Sequence, residues 1–509
     1  MPSTSQHGPG AELEIKLALP TADPASLARQ LARLPALARR KPVRKQVDNI
    51  YFDTPAQALR AQRMALRLRR VGGDDAPQWL QTFKTSDGGD SALSLRGEWE
   101  VPVPGPALVQ AALQAAPPWQ RLDPEGAVFA ALQPCFATAF ERTAWTVRRR
   151  DGSVIEVALD LGQITSGQRS VPICELELEL LAGAPTALFD LARHIALHIA
   201  VLPLAASKAQ RGHALRDGTL DTPLRARPQP LGGDVAWHHM VQPVLGEMFA
   251  QFTANLNALR HCDDPELVHQ ARVGWRRFRG AVRLFKPAVP AQALPSWQGL
   301  QPLLTALGEL RDLDVACTQT LPALQNAFVA ECAERMQAWQ AMELAFRHAA
   351  VQQRRAVRHA LQAPAVGSDL LAITLWLDEL ARPEAWGAQD ISGKAVRRWV
   401  RQRMVRLHAQ WKKALRDSTH AESQHRARIL AKRLRYNIEA LCPLLPARTQ
   451  RWLQQASGVQ AGIGASRDLL QAGVLAQRLA VDRGIVAFLR GYAAGRAGVP
   501  WASQLPGSV

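Results

Sequence analysis

Stretches in which charged and apolar residues alternate recur through the first 215 residues, among them AELEIKL, MALRLRR, SLRGEWEV and CELELEL. Because neighbouring side chains of a strand point to opposite faces, this period of two predicts β-strands with one charged and one apolar face. Gly, Pro and Asp separate the stretches, as turns would. The first part of the chain is therefore mainly β, with a few helices such as PTALFDLARHIALHI.

One hairpin is predicted in detail. The stretch TAWTVRRR, the dipeptide Asp151-Gly152 and the stretch SVIEVALD follow one another without interruption. Asp-Gly favours the positive φ that a tight turn between antiparallel strands requires. We therefore expect two adjacent antiparallel strands joined at this dipeptide.

The pattern changes after DGTLDTPLRARPQPLGGD, a segment rich in Pro and Gly that ends at residue 234. Beyond it, long stretches with helical spacing replace the strand signals, such as residues 236–260, 266–285, 322–362 and 393–416. A chain of 509 residues also exceeds the size that one core usually organises. The predicted organisation is a β domain over residues 11–215, a linker over 216–234 and a helical domain over 235–500.

The helical half contains an internal repeat with an offset of 156 residues. Seven polar positions recur in register, and the one substitution, Arg276 against Lys432, keeps the charge. Such a pattern predicts duplication of a helical unit, with copies over about 236–345 and 393–500. The first set is His269, Arg272, Arg276, Arg277, Arg279, Arg311 and Asp312, and the second is His425, Arg428, Lys432, Arg433, Arg435, Arg467 and Asp468.

Positive charge is concentrated in this helical half. Of the formal net charge of +18, residues 1–216 contribute +4 and residues 217–509 contribute +14, which predicts an anionic partner. The six cysteines are scattered without disulfide or zinc spacing, and no apolar run reaches the ~20 residues of a membrane span. Because the N-terminus lacks the features of a secretory signal, we expect a cytoplasmic protein with no membrane partner.

Charged residues of the β half share one face on each of five predicted strands. Taken alone, each charged face is typical of the solvent-exposed face of an antiparallel sheet. Their repetition favours a closed or nearly closed barrel whose charged faces line a polar tunnel, and such a tunnel needs both signs because unpaired buried charges are costly. The candidate lining has six cations, Lys16, Arg67, Arg69, Lys84, Arg142 and Lys208, and six acids, Glu12, Glu14, Glu98, Asp160, Glu175 and Glu177.

The predicted fold class is thus multidomain α+β, with an antiparallel β-barrel and flanking helices followed by an all-α bundle with internal duplication. The charged lining would suit a triphosphate with two divalent metal ions. Hard cations such as Mg²⁺ bind carboxylate and phosphate oxygens, while Arg and Lys neutralise the remaining phosphate oxygens.

The β half resembles the CYTH superfamily, whose members form the triphosphate tunnel fold. ELEIK at 12–16 is similar to the ExExK signature, and YFDTP, LRLR, FK, RGE, ERTAW, EVALD, ELELEL and SKAQRG follow in the family's order up to residue 212. The resemblance implies that the six cations above bind phosphates and that the six acids hold metals. Glu100 and Glu179 either add ligands or extend the charged face. Tyr51 is interpreted as a core residue, with assistance to proton transfer as the alternative.

This resemblance implies hydrolysis of inorganic triphosphate to diphosphate and orthophosphate, with Mg²⁺ or Mn²⁺ as the ions. Glu12, Glu14, Lys16 and Asp160 are the residues expected at the chemical step. The shared motifs leave three alternatives open: hydrolysis of thiamine triphosphate, cyclisation of ATP, and a protein that binds polyphosphate without catalysis.

In the helical half, His269, Arg272, Arg276 and Arg279 are spaced 3, 4 and 3 residues apart and form one stripe on a helix, as do their four repeats. Two such helices facing each other would form a basic groove for a linear polyanion. Solvated helix faces are the alternative. HQARVGWRRFRGAVRLF and HRARILAKRLRYNIEAL resemble the repeated signature of CHAD domains, which implies polyphosphate as the ligand. The residues expected to bind it are His269, Arg272, Arg276, Arg277, Arg279, His425, Arg428, Lys432, Arg433 and Arg435.

The histidines and tryptophans near the stripes allow other interpretations. The histidines are interpreted as hydrogen-bonding partners rather than as metal ligands or phosphate carriers. Trp275, Trp399 and Trp411 lie near basic residues, which raises nucleic acid as a rival ligand. Because no nucleic-acid-binding signature accompanies these tryptophans, we expect polyphosphate instead.

Overall fold

The structure, a computed structural model, describes residues 11–21, 23–72, 77–86, 91–227, 229–232, 235–289, 294–387, 390–417 and 421–497. The chain forms two compact units. The first comprises the residues up to Thr222 together with Pro295–Leu300 and Leu361–Leu375, and the second comprises the others from Pro223 onward. The domain bounds expected from the sequence stay a prediction.

One antiparallel sheet dominates the described residues of the first unit. Its strands are β1 Ala11–Ala18, β2 Val43–Asp53, β3 Met64–Val71, β4 Gln78–Thr85, β5 Leu93–Val103, β6 Gln133–Arg148, β7 Val154–Ser166, β8 Arg169–Ala182 and β9 Leu202–Pro203. They are ordered β5-β4-β3-β2-β6-β7-β8-β1-β9, and β5 also pairs with β1. That pairing closes eight strands into a barrel, while the short β9 lies beside β1. The predicted antiparallel barrel is confirmed.

Helices flank the barrel strands in the sequence and make up most of the second half. The helices up to Thr222 are α1 Leu27–Ala32, α2 Ala58–Ala61, α3 Pro117–Leu122, α4 Ala127–Ala130, α5 Pro185–Ala196 and α6 Lys208–Asp217. The later helices are α7 Trp237–Ala258, α8 Pro265–Phe285, α9 Gln301–Val315, α10 Gln325–Val329, α11 Ala333–Leu361, α12 Pro364–Leu380, α13 Gly393–Arg416, α14 Ala421–Leu441, α15 Thr449–Arg478 and α16 Arg483–Ala497. Within the described ranges, no helix alone is long and apolar enough to cross a membrane, although α11 and α12, which are separated by a bend, together have sufficient length and apolar composition.

The apolar face of the strands supplies the main core of the first unit. Ile15 of β1 and Leu176 of β8 are buried together with Leu31 of α1 and Leu188 of α5. Full burial of such a side chain contributes roughly 1.5–3 kcal/mol. Since side chains alternate along each strand, fixing this face against the helices turns the charged residues of the same strands toward the barrel interior.

The hairpin between β6 and β7 is present at the predicted dipeptide. Gly152 has a φ of +85°, whereas Asp151 stays at negative φ and its carboxylate accepts a hydrogen bond from the Ser153 N–H at 2.9 Å. The Gly152 N–H donates to the Arg149 carbonyl at 3.2 Å. One glycine in the left-handed region therefore closes a turn that the sequence places correctly.

Helix bounds in the second half repeat with the same offset as the sequence. Both ends of α14 lie 156 residues after those of α8, and α13 begins 156 residues after α7. The repeated stripes therefore lie on equivalent helices. α8 and α14 also contact each other within the second unit.

We predict that Gly162→Ala destabilises the barrel. A Cβ atom at Gly162 would lie 2.1 Å from the Ala139 carbonyl oxygen and 2.4 Å from the Phe140 Cα, so the β6–β7 ladder would have to move. Overpacking of this kind costs about 1–3 kcal/mol. Gly105→Ala is the matched control, because no atom lies within 4 Å of its added methyl group. Equal melting temperatures for the two variants would contradict the prediction.

Candidate functional site

Three carboxylates converge inside the barrel. Asp160, Glu175 and Glu177 each offer an oxygen within 4.8 Å of the others, and we call these residues the acidic cluster. Lys208 Nζ lies among them, donating to Asp160 at 2.6 Å, to Glu177 at 3.0 Å and also to Glu175. A single cationic group thus contacts all three carboxylates.

Strand register and one helix cap position this cluster. Asp160 on β7 lies opposite Glu175 on β8, and Glu177 lies opposite Lys16 on β1. Lys208 is the first residue of α6, where Ser207 and Gln210 form a reciprocal capping box. Such a cap fixes the direction in which the chain enters the helix. The lysine is therefore held over the ends of carboxylates from two neighbouring strands.

Opposite charges overcome the cost of burial in this cluster. Burial alone would raise the pKa of Glu177, but Lys208, Lys16 and Arg142 hold the pKa well below its usual range. Burial alone would lower the pKa of Lys208, but Asp160, Glu175 and Glu177 raise the pKa above its ordinary value. Glu177 and Lys208 are therefore both charged at neutral pH.

Arg142 completes this side of the barrel interior. Its Nε and Nη2 donate to the two oxygens of Asp160 at 2.8 and 2.7 Å, and Nη2 also contacts Glu177. Bidentate arginine contacts of this kind fix geometry as well as charge. Only about a fifth of the Arg142 side chain is exposed, at 19%.

A second group, which we call the Lys84 wall, is formed by Glu12, Arg67, Lys84 and Glu98. Lys84 Nζ contacts Glu12 at 2.6 Å and Glu98 at 3.0 Å, while Arg67 lies 3.6 Å from Glu98. Here too, burial alone would lower the pKa of Lys84, but Glu12 and Glu98 raise it. Carboxylates and cations again alternate in direct contact.

Arg69, Glu14 and Lys16 lie in the same interior. Arg69 donates to Asn49 at 3.0 Å and lies 3.5 Å from Glu100, and burial followed by the neighbouring Arg67 lowers the pKa of Arg69 to about 10. Glu14 is buried and accepts hydrogen bonds from Lys16 and, at 3.1 Å, from Ser94. Every predicted tunnel residue is therefore brought into this interior.

Other residues in the barrel have distinct surroundings. Glu100 accepts a hydrogen bond from Thr82 at 2.7 Å. Burial, followed by Glu12, raises the pKa of Glu179 to about 8. Tyr51 is buried and stacks on Phe136 with ring centroids 4.6 Å apart. This position is compatible with the core role expected for Tyr51.

The basic stripes of α8 and α14 converge within the second unit. Burial, followed by Arg276, Arg428, Arg467 and Arg272, lowers the pKa of Lys432 to about 7. Burial, followed by Arg276, also lowers the pKa of Arg272 to about 10. Cations from both copies therefore crowd one another, and we call Arg272, Arg276, Arg428, Lys432 and Arg467 the basic groove.

The remaining stripe residues differ in their surroundings. Burial, followed by Arg311, lowers the pKa of His269 to about 4, so this imidazole is neutral at pH 7. Arg435 lies over the Tyr436 ring at 4.7 Å and 3.7 Å from Glu439. Burial, then Arg283, lowers the pKa values of both Arg279 and Arg433. His425 is exposed.

Arg277 is directed away from the groove. It is 1% exposed, and its guanidinium binds Glu247 at 2.8 and 3.1 Å and Gln251 at 2.6 Å. Glu247 also accepts a hydrogen bond from the backbone N–H of Arg227 at 2.6 Å. Arg277 is thus satisfied inside the bundle, and we assign it to structure rather than to the polyphosphate-binding set in which the sequence placed it.

Comparison with known proteins matches this architecture. A sequence model of the CYTH domain matches residues 10–213, and a model of the CHAD domain matches residues 243–477. The chain carries a CYTH domain followed by a CHAD domain. The sequence resemblance to both families is confirmed.

Individual relatives cover parts of this CYTH–CHAD chain. An inorganic triphosphatase of Haemophilus influenzae is 33% identical over 205 residues, which are 40% of this chain and 54% of that protein. The chain thus spans about half the length of this relative. The CHAD domain of Ricinus communis is 29% identical, with a TM-score of 0.47, covering 55% of this chain and 94% of that one. HpAC1 of Hippeastrum, described as a putative adenylyl cyclase with a dominant triphosphatase activity, is 22% identical, with a TM-score of 0.30, covering 41% and 97%.

Two cations of the CYTH interior were missed by sequence reasoning. Arg96 lies 3.1 Å from Glu14, and Arg211 donates to Glu175 at 2.8 Å. Arg96 could have been predicted, because it precedes Glu98 by two residues in the stretch LSLRGEWE and therefore lies on the same face of the strand. Arg211 follows Lys208 by one helical turn, so its position could be found only once that helix was known to cover the barrel interior.

Adjacent arginines of the CHAD helix α8 provide a test of these assignments. Arg277→Met leaves the buried Glu247 without its counter-charge, which costs about 3–5 kcal/mol. Arg276→Met removes one cation from a crowded groove, so we expect its free energy of unfolding to stay within about 1 kcal/mol of the parent. Urea denaturation followed by circular dichroism measures both, and equal losses would contradict the assignment.

Proposed function

We propose that the chain is a divalent-metal-dependent inorganic triphosphatase whose CHAD domain binds polyphosphate. The observation that carries the first part is the convergence of the predicted cations and acids in one barrel interior. Arg67, Lys84, Arg142 and Lys208 there are paired with protein carboxylates at 3.6 Å or less. An anion with several charges could exchange with those carboxylates as the partner of the same cations.

The acidic cluster supports the metal part of the proposal. Three carboxylates within 4.8 Å supply the oxygen ligands that Mg²⁺ and Mn²⁺ prefer. Their contact with Lys208 Nζ indicates that the site is built to surround a positive charge. Asp160, Glu175 and Glu177 would hold one ion, and Glu12, Glu14 and Glu98 would contribute to a second. When bound, such ions neutralise phosphate charge and lower the pKa of a coordinated water.

The side chains of the barrel interior would position the triphosphate. Lys16, Arg67, Arg69, Lys84, Arg142 and Lys208 would bind the oxygens of the triphosphate and hold it in line for attack by water. Water would add to the terminal phosphorus as the bond to the bridging oxygen breaks, which gives orthophosphate and diphosphate. Glu12, Glu14 and Asp160 would orient the attacking water, and Lys16 would stabilise the charge that develops on the phosphate oxygens.

The choice of inorganic triphosphate as the substrate rests on a relative of the CYTH part and on the pairing of a CYTH domain with a CHAD domain. The Haemophilus influenzae protein that the CYTH part resembles is an inorganic triphosphatase. Phosphate release from inorganic triphosphate, thiamine triphosphate, ATP and longer chains, with and without chelator, would rank the substrates. Cyclisation of ATP, or faster hydrolysis of thiamine triphosphate than of inorganic triphosphate, would contradict the proposed reaction. The cytoplasmic location expected from the sequence remains part of this proposal.

Polyphosphate binding by the CHAD domain is supported by the crowding of cations in the basic groove. The Nε atoms of Arg272, Arg276 and Arg428 are buried and have no hydrogen-bond partner among the described residues. Buried donors of this kind cost free energy unless a ligand or water satisfies them. A phosphate chain would supply the acceptors and remove the repulsion.

Glu12→Gln together with Glu14→Gln should reduce triphosphate hydrolysis at least a hundredfold, because two oxygen ligands for a divalent ion lose their charge. Polyphosphate binding should persist, which would show that the chain still folds. Glu141→Gln is the control, since Glu141 is exposed on the face of β6 opposite to that of Arg142. Unchanged turnover in the double variant would contradict the metal assignment.

Polyphosphate affinity should fall as the pH rises through 7. The pKa of Lys432 is about 7 in the free groove, lowered by burial and by Arg276, Arg428, Arg467 and Arg272, while Asp468 lies close enough to interact with it. A bound anion raises this pKa, so binding above pH 7 takes up a proton and weakens by up to about tenfold per pH unit.

Titration calorimetry at constant ionic strength measures this dependence. Lys432→Met should bind more weakly at pH 6 than the parent chain and lose the pH dependence between pH 6 and pH 9. The same slope in the parent and the variant would assign the titration to another group, and an absence of slope in the parent would contradict the prediction.

A further inference from the structure

One helix of the second unit carries charge that neither the fold nor the basic groove uses. α13 contains nine Lys and Arg residues and no Asp or Glu over Gly393–Arg416. Its equivalent in the first repeat, α7, contains no Lys or Arg and one acid, Glu247, over Trp237–Ala258. The bundle therefore does not require a basic helix at this place, because the duplicated position is built without one.

The cations of α13 form a stripe on the face opposite its core contacts. Val396, Val400, Met404, Leu407 and Trp411 are buried. At 100° per residue, the exposed Lys394, Arg398, Arg401, Lys412 and Arg416 cluster about the opposite side of the helix. A helix of 24 residues extends this stripe over about 36 Å.

These stripe cations have no acidic partner in the described part of the chain. No carboxylate there forms an ion pair with Lys394, Arg398, Arg401, Lys412 or Arg416. Like charges one turn apart on a helix repel by tenths of a kcal/mol per pair. The arrangement is therefore mildly unfavourable unless an anion binds to it.

The surroundings of the stripe are also basic. α13 contacts α14, the helix that contributes Arg428 and Lys432 to the basic groove. His408 of α13 stacks on Trp452 of α15 with ring centroids 4.0 Å apart, which brings the start of α15 beside α13. Arg448 and Arg451 are exposed there. Positive charge thus continues from α13 onto a neighbouring helix.

The chemistry of the stripe selects among anionic partners. A membrane surface requires an apolar face, and the stripe contains one exposed apolar side chain, Val405. Stacking on nucleic-acid bases requires accessible aromatic rings, but Trp411 is buried and Trp399 is covered by Arg403 at 5.2 Å. A row of Lys and Arg without accessible apolar or aromatic groups suits a linear polyanion that binds through its negative charges alone.

We propose that the outer face of α13 is a second binding surface for polyphosphate, which takes the part of a long chain that the basic groove cannot hold. This inference rests on the proposed function of the groove. It adds that affinity increases with chain length through residues outside the duplicated stripes. Short chains would bind the groove alone, and long chains would use both surfaces.

The test compares two variants of the full chain with equal changes in charge. One carries Arg398→Glu, Arg401→Glu, Lys412→Glu and Arg416→Glu on the α13 stripe. The control carries Arg29→Glu, Arg33→Glu, Arg355→Glu and Arg483→Glu. These residues are exposed and lie on α1, directly after α1, on α11 and on α16, respectively. Circular dichroism and triphosphate hydrolysis, which should match the parent, establish that both variants fold.

The probes are a short polyphosphate and one several times longer than the about 36 Å helix. We expect the α13 variant to bind the long chain roughly tenfold more weakly than the control, with a log–log salt slope reduced by about 3 for four lost contacts. Binding of the short chain should equal that of the control. Equal binding of the long chain by both variants would overturn the inference while leaving the groove intact.

Two further outcomes are informative. If the parent chain binds neither probe, the proposed polyphosphate function fails and the inference fails with it. If the α13 variant loses binding to duplex DNA or RNA but keeps the long polyphosphate, the stripe belongs to a nucleic-acid interface and the inference is wrong.

Discussion

The barrel interior depends on the cost of burying charge. Asp160 is fully buried and Glu175 is 1% exposed, and each would be strongly destabilising without a counter-charge. Lys208, Arg142 and Arg211 supply those counter-charges from α6 and β6. Because removing one partner leaves the other uncompensated, the set is maintained or lost together. The same requirement makes the site suited to a substrate that is itself highly charged.

Much of this interior could be predicted because a strand has a period of two. Once ELEIK and ELELEL are assigned to strands, the face of every charged residue follows, and the barrel brings those faces together. Closure of the barrel between β1 and β5 could not be predicted this way, since alternation fixes the face but not the neighbour. Arg211 was missed for a related reason, because its position depends on where a helix covers the barrel interior.

The helical half shows the limit of stripe arguments. The repeated signature placed Arg276 and Arg277 in one binding set, but consecutive residues on a helix point about 100° apart. Arg277 faces Glu247 on a different helix, and no pattern within α8 reveals that partner. The second repeat has Arg433 at the equivalent position and Arg403 where the first has Glu247. Duplication therefore preserved the groove stripe more strictly than the buried pair beside it.

The two halves have opposite electrostatic designs. The CYTH interior balances its cations with carboxylates, whereas the CHAD groove leaves Lys432 among arginines. The central claim is that the balanced interior exchanges its internal partners for a triphosphate and metal ions. A crystal structure of the Glu12→Gln, Glu14→Gln variant with inorganic triphosphate tests it most directly. We predict phosphate oxygens within hydrogen-bonding distance of Arg67, Lys84 and Arg142. A triphosphate bound only outside the barrel, with these cations still paired to protein carboxylates, would contradict the account.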